Sequence, residues 1–290
     1  VVLGGPFLHH IERIIRGKAE SLNAPVVSAS DPGNRSVLKH FFSGPSVAPR
    51  QLCDVMIHIE KDIRMFIEMR DVSLRLLGMH QLRNAVTATC AALCLRQQGW
   101  EVSDSSFRRG LQSCYLVGRT QFLTSEEVER LGFPRSSTIL LDGAHTKESG
   151  EALKKTIETA FPSRRLAVVV AMADDKDHVG FASAMLSSGV WPDVACFTEV
   201  DIAGERFRTV SSSSLMDSWI RTCRRHRSGN AVVVDDESKH EVNSNDDGKS
   251  ILLARRCSVV ESMRFANGFV NAHGGIVVVT GSLHIVAAVL

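Results

Sequence analysis

Leu140-Leu141-Asp142-Gly143-Ala144-His145-Thr146 is the segment of this chain best suited to chemistry. A carboxylate ends an apolar run, a glycine follows it, and an imidazole and a hydroxyl come next. An acidic side chain at the tip of a buried strand can accept hydrogen bonds from ribose hydroxyls. Gly143 would let the backbone turn sharply and let a ligand come close. Thr146 can cap a following helix. The same residues also describe an ordinary strand-to-helix turn with Asp142 as a turn residue. The segment alone does not choose between the two.

The surrounding elements must hold this tip in place. Thr138 to Leu141 reads as a continuous apolar strand, followed by a helix over Lys147–Ala160. Strand Leu166–Ala171, helix Val179–Leu186, strand Val194–Thr198, helix Ser214–Arg224 and strand Ala231–Val234 succeed it. A helix over Leu252–Phe265, a strand over Gly275–Thr280 and a last helix from Ser282 complete the pattern. Strands that alternate with helices and lack a two-residue period predict a mostly parallel sheet covered on both faces, an α/β fold. Ligands on such sheets bind beyond the carboxyl ends of the strands.

The first half is less regular. Residues 8–22 have the spacing of an amphipathic helix, and Pro25-Val26-Val27 reads as a short strand. Ser28 to Arg50 is rich in Ser, Gly and Pro and reads as irregular. Val55–Ile59 and Met65–Ile67 are strand material, and Gly78–Leu95 is a helix. A further helix over Val102–Leu111 would start at Ser103 or Asp104, both good caps. The domain boundary is placed near Arg119 to Ser137, giving units 1–133 and 134–290. Residues 235–250 are polar and read as a mobile surface insertion.

Composition excludes several classes. A formal charge of +2 gives no reason to invoke nucleic acid. No apolar run reaches the roughly 18 to 20 residues of a membrane helix; Ile276–Leu290 is interrupted by Thr280, Gly281, Ser282 and His284. Seven cysteines in 290 residues do not form a disulfide framework. Cys90 and Cys94 lack the further short-spaced ligands of a zinc site and read as core thiols in a reducing compartment. No metal ligands are assigned. Gly248-Lys249-Ser250 copies the end of a phosphate-binding loop, but Asn243 stands where the motif needs its first glycine. His9-His10 and the cluster Arg221, Arg224, Arg225 and Arg227 read as exposed faces.

Five segments, in order, resemble the folate-glutamate ligases, the dihydrofolate and folylpolyglutamate synthases of the Mur ligase superfamily. Leu141-Asp142-Gly143-Ala144-His145 resembles the family's Leu-Asp-Gly-Ala-His-Asn signature. His80-Gln81-Leu82-Arg83-Asn84-Ala85 resembles its His-Gln-x-x-Asn-Ala helix start. Gly118-Arg119-Thr120-Gln121 resembles its hinge, Asp175-Lys176-Asp177 its Asp-Lys-Asp loop, and Thr280-Gly281-Ser282-Leu283 its terminal Thr-Gly-Ser-Leu. The wording Gly-Arg-Thr-Gln-Phe-Leu and Asp-Gly-Ala-His-Thr-Lys-Glu-Ser is most similar to plant dihydrofolate synthases. Thr146 stands where many members have Asn, Val117 where many have Pro, and Tyr115 where Trp is frequent.

The resemblance implies ATP-dependent amide formation between L-glutamate and dihydropteroate or a folate, through an acyl phosphate. It implies that Asn84 contacts adenine, Arg119 the ATP phosphates and Asp142 the ribose. His145 would lie near the nucleotide and the reacting groups, and Lys176 and Ser282 would hold the incoming glutamate. For Lys176 the alternative is a solvated loop charge among Asp174, Asp175 and Asp177. Residues 1–133 would be the tail of a central ATPase domain plus hinge, and 134–290 a Rossmann-like glutamate-ligase domain. Magnesium would accompany ATP, with its ligands, the phosphate-binding loop and a modified lysine lying upstream of Val1. The chain would then be a carboxyl-terminal fragment, inactive alone. Its partners would be small molecules, with no nucleic acid, no membrane and a monomeric state. Its location would be intracellular, mitochondrial for a plant dihydrofolate synthase and otherwise cytoplasmic. A non-catalytic module binding a nucleotide or a partner protein remains an alternative. A murein-precursor ligase shares the architecture but fits the Asp142 and Ser282 segments less well.

Overall fold

The computed structural model describes residues 1–44, 47–60, 64–187, 189, 191–225, 229–234 and 249–290. Contacts divide the chain into two units, Val1–Tyr115 and Leu116–Leu290.

In the first unit, β1 (Val2–Leu3) and β2 (Val27–Ser28) pair in parallel, with α1 (His9–Ser21) between them in sequence. Next come β3 (Arg35–Gly44), β4 (Val47–Ile59) and β5 (Met65–Leu74), an antiparallel meander with β4 in the centre. α2 (Met79–Gln97) and α3 (Asp104–Ser113) follow, and the Ser103 hydroxyl caps α3. Val55, Ile57 and Ile59 lie opposite Met69, Ile67 and Met65. All six are buried in one core with Leu82, Val86 and Leu93 of α2. Cys90 belongs to this core, and burial pushes its thiol up to about 12.

The expectation of irregular chain over Ser28–Arg50 is corrected, because β3 and the start of β4 occupy most of it. β3 is an edge strand, and its pairing with β4 shifts register between Leu38 and His40 and again between Phe42 and Gly44. Each shift breaks the alternation that marks a strand in sequence.

The second unit runs β6 (Gln121–Phe122), α4 (Ser125–Arg130), β7 (Thr138–Leu141), α5 (Lys147–Ala160), β8 (Leu166–Val170) and α6 (His178–Met185). It continues with β9 (Val194–Phe197), α7 (Ser212–Arg225), β10 (Gly229–Val234), β11 (Lys249–Arg255), α8 (Val259–Val270), β12 (Ile276–Thr280) and α9 (Leu283–Val289). Among the described residues the sheet has the order β10-β11-β9-β8-β12-β7-β6. Every neighbouring pair is parallel except β6 with β7.

Both faces are covered. Val168, Val170, Phe197, Leu253 and Val278 pack with Leu153 of α5, Phe181 of α6 and Trp219 of α7. Val169, Cys196, Leu252, Val277 and Val279 pack with Met263 of α8 and Val286 of α9. Burying each Val, Leu, Phe or Met among them stabilises by about 1.5–3 kcal/mol relative to exposure, so both faces hold the strand ends firmly.

Two expectations change here. Leu252–Phe265 is not one helix: β11 extends to Arg255, and α8 starts at Val259 with Ser258 as its cap. A short apolar run is ambiguous by periodicity, and insertion between β10 and β9 makes Ile251–Ala254 a strand buried on both sides. The division between the units falls after Tyr115 rather than after residue 133. β6 pairs with β7 and Val128 of α4 joins the second core, which ties 116–133 to the later sheet. Of the expected insertion over 235–250, residues 235–248 lie outside the described residues, and Lys249 and Ser250 open β11.

Strand order also sets where crevices open. The connections after β7, β8 and β9 leave through α5, α6 and α7 on one face; those after β11 and β12 leave through α8 and α9 on the other. Neighbouring strands whose connections part in this way leave a crevice beyond their carboxyl ends. One such place is β7–β12–β8, and another is β9–β11.

Candidate functional site

At the first crevice, the Asp142 amide donates to the Val279 carbonyl at 3.0 Å, so Asp142 stands directly beyond the β7–β12 pairing. Its side chain is buried, with the residue 8% exposed. Oδ2 accepts the Thr120 N–H at 2.8 Å and Oδ1 the Ala144 N–H at 2.9 Å. Burial pushes the carboxyl above its ordinary value, against the opposing pull of these two amides and the Arg119 charge. Asp142 therefore clamps the turn before β6 to the tip of β7. Each oxygen retains a second lone pair, which can still accept a hydroxyl.

Gly143 has a different role from the one its type suggested. Its amide donates to the Gly118 carbonyl at 2.8 Å. A Cβ here would fall 2.5 Å from Leu283 Cδ2 and 2.9 Å from Arg119 Nη1. The close approach expected of a ligand is made by the chain's own side chains. Gly281 is more constrained: its φ is +108°, and a Cβ would lie 2.5 Å from the Ala171 carbonyl oxygen. The Ala144 carbonyl accepts from the Gly281 amide at 2.9 Å and from the Thr280 hydroxyl at 3.2 Å. The tips of β7 and β12 are thus stitched together.

His145 is half-buried, and its Nδ1 lies 2.8 Å from the Gly143 carbonyl oxygen. A carbonyl only accepts, so in the neutral ring Nδ1 carries the proton and Nε2 is left as an acceptor. Thr146 caps α5 as its type suggested, accepting the Ser149 N–H at 3.2 Å. Ser282 is buried, and its Oγ accepts the Ile285 N–H at 3.2 Å as the cap of α9. Lys176, on the loop after β8, pairs with Asp175 at 3.0 Å. That contact holds the Asp175 carboxyl below its usual value.

Arg119, Asp142, His145 and Ser282 are thus gathered around the β7 and β12 ends, with Lys176 on the loop of the neighbouring strand. Asn84 belongs to the first unit; it is exposed on α2, and its side-chain amide donates to Gln81 Oε1 at 3.0 Å. The residues that sequence reasoning missed are Thr120, Ala144 and Leu283. The first two act through backbone amides, which no residue type signals. Among the described residues no group of three or more His, Cys, Asp or Glu could hold a metal ion, and no helix is long and apolar enough to cross a membrane. All seven cysteines are free.

No protein-family model matches the chain. Over 109 residues, 37% of this chain and 23% of the relative, it is 29% identical to the dihydrofolate synthase/folylpolyglutamate synthase of Bacillus subtilis. Over 110 residues, 38% of this chain and 12% of the relative, it is 34% identical to a probable bifunctional folylpolyglutamate synthase/dihydropteroate synthase of Halobacterium salinarum. The Mycobacterium tuberculosis folylpolyglutamate synthase, solved with ADP and AMPPCP, matches 99% of this chain with a TM-score of 0.67 and 18% identity. The chain spans 53% of that structure. The fold is therefore that of the solved synthase, of which the chain spans about half the length.

Proposed function

We propose that this chain supplies part of an ATP-dependent ligase that joins L-glutamate to a folate-type carboxylate, with dihydropteroate as the acceptor. The observation that supports this most is the likeness to the Bacillus subtilis synthase over 109 residues, on a fold that its solved counterparts share. The name of that relative covers both acceptors. The plant-like wording around Arg119 and Asp142 favours dihydropteroate.

In the proposed reaction the γ-phosphoryl group passes to a carboxylate oxygen, giving an acyl phosphate and ADP. The glutamate amine attacks the acyl carbon, phosphate leaves with the bonding pair, and the nitrogen loses a proton. Arg119 would meet phosphate oxygens through its planar fork. Asp142 would accept from a ribose hydroxyl through its remaining lone pairs. With Nδ1 held by the Gly143 carbonyl, His145 has Nε2 available to take the amine proton. Lys176 and Ser282 are the proposed partners of the glutamate carboxylates. Magnesium, when bound with ATP, neutralises charge on the phosphoryl oxygens.

The 290 residues contain no complete phosphate-binding loop. Incorporation of labelled glutamate should therefore be absent with the isolated chain. It should appear, dependent on ATP and dihydropteroate, with a protein that includes the upstream coding sequence. Activity with neither dihydropteroate nor a folate would overturn the ligase reading. Turnover by the isolated chain would overturn the division of labour.

A further inference from the structure

The second crevice, at the ends of β9 and β11, opens into a cavity of about 370 Å³. That volume lies at the small end of the roughly 300–1,000 Å³ typical of small-molecule sites. Its charged lining includes Glu199, Arg206, Arg255 and Arg256, and Met216, Val233 and Val234 supply an apolar wall. Glu199, just past β9, is turned toward α7. Its Oε1 accepts the Ser212 amide at 2.9 Å and the Ser212 hydroxyl at 3.1 Å. The negative charge of Glu199 therefore lies at the positive end of that helix. Arg256 stacks over the Phe265 ring, 4.0 Å from its centroid, which fixes its plane. Arg206 and Arg255 are exposed and, among the described residues, make no ion pair with a carboxylate.

Three guanidinium groups and one carboxylate leave a charge of +2 on the lining of one small space. We propose that this cavity binds a small phosphate monoester. Its phosphate dianion meets Arg206, Arg255 and Arg256, and its organic group lies on Met216, Val233 and Val234. A phosphate monoester carries about −1.5 to −2 at pH 7 and offers three strong acceptor oxygens, so its charge balances that of the lining. Planar guanidinium groups grip phosphate through paired hydrogen bonds. A single carboxylate brings less charge and fewer oxygens, and bare phosphate leaves the apolar wall in water. The inference uses none of the residues around Asp142 and does not rest on the ligase reading.

Cys257 provides the test, because it lines the cavity and is exposed; Cys114, in the other unit, is also exposed and serves as an internal control. The probe is phenyl phosphate, with labelling of the 290-residue chain by neutral iodoacetamide read peptide by peptide. At ten times its dissociation constant, phenyl phosphate should slow Cys257 labelling about tenfold, as the free fraction falls by 1 + [L]/Kd. Cys114 should be unaffected. Benzoate keeps the ring but carries one carboxylate, and inorganic phosphate lacks the ring; at equal concentration and ionic strength each should protect less. Arg255→Ala and Arg206→Gln should each weaken protection. Glu199→Gln keeps an acceptor for Ser212 but removes the negative charge, and should strengthen it. Circular dichroism confirms that each variant is folded. No protection by phenyl phosphate, equal protection by benzoate, or full protection in folded Arg255→Ala would each overturn the proposal. Equal protection by inorganic phosphate would overturn the ester in favour of the free ion.

Discussion

The two crevices of the second unit arise from one topological device yet differ in what fills them. At β7–β12 the polar groups bind one another. Asp142 holds two amides, the Ala144 carbonyl holds two donors, and Ser282 caps α9. Even the space above Gly143 is taken, by Leu283 and Arg119. At β9–β11 the charges exceed their internal partners and a cavity remains. The first crevice is built for rigidity, so its residues should be expensive to change. The second should tolerate change in stability and respond in binding.

This contrast can be broken by measuring unfolding of the second unit in urea through Trp191 and Trp219, both buried there. The largest loss is expected for Gly281→Ala, which combines a left-handed φ with a clash against backbone. It should cost about 3 kcal/mol or more. Asp142→Asn comes next at about 1–3 kcal/mol, because an amide NH2 would replace one acceptor facing a buried backbone N–H. Thr146→Ala should lose about 1 kcal/mol with the cap of α5. Arg255→Ala should stay within about 0.5 kcal/mol of the parent, since the side chain is exposed. A loss as large as that of Asp142→Asn would erase the distinction between the crevices.

Acidity sharpens the same point. The Asp142 carboxyl sits above its ordinary value of 3.8 when folded, so the folded state binds its proton more tightly than the unfolded chain. Its contribution to stability is greatest below the unfolded value and declines as pH rises through the folded one. Thermal unfolding of the parent and Asp142→Asn, compared from pH 7 downward into the carboxylate range, should show the gap widening in the parent's favour. A gap that narrows would mean that the two backbone amides outweigh burial.

The sequence by itself determined the parallel α/β character of the second unit, the cap Thr146, and the position of Asp142 at a strand tip; for α3 it left Ser103 and Asp104 open, and the structure chose Ser103. These follow from short-range facts: continuous apolar runs, side chains that can reach an amide three residues on, and glycine after a strand. Only the tertiary structure decided that Asp142 clamps Thr120, a residue 22 positions away. It alone decided that Leu283 closes over Gly143, and that Ile251–Ala254 is a strand, bringing Arg255 and Arg256 to the rim of a cavity beside Glu199. Such pairings depend on which strand lies beside which. Strand order is set by burial over the whole sheet, and no local spacing encodes it.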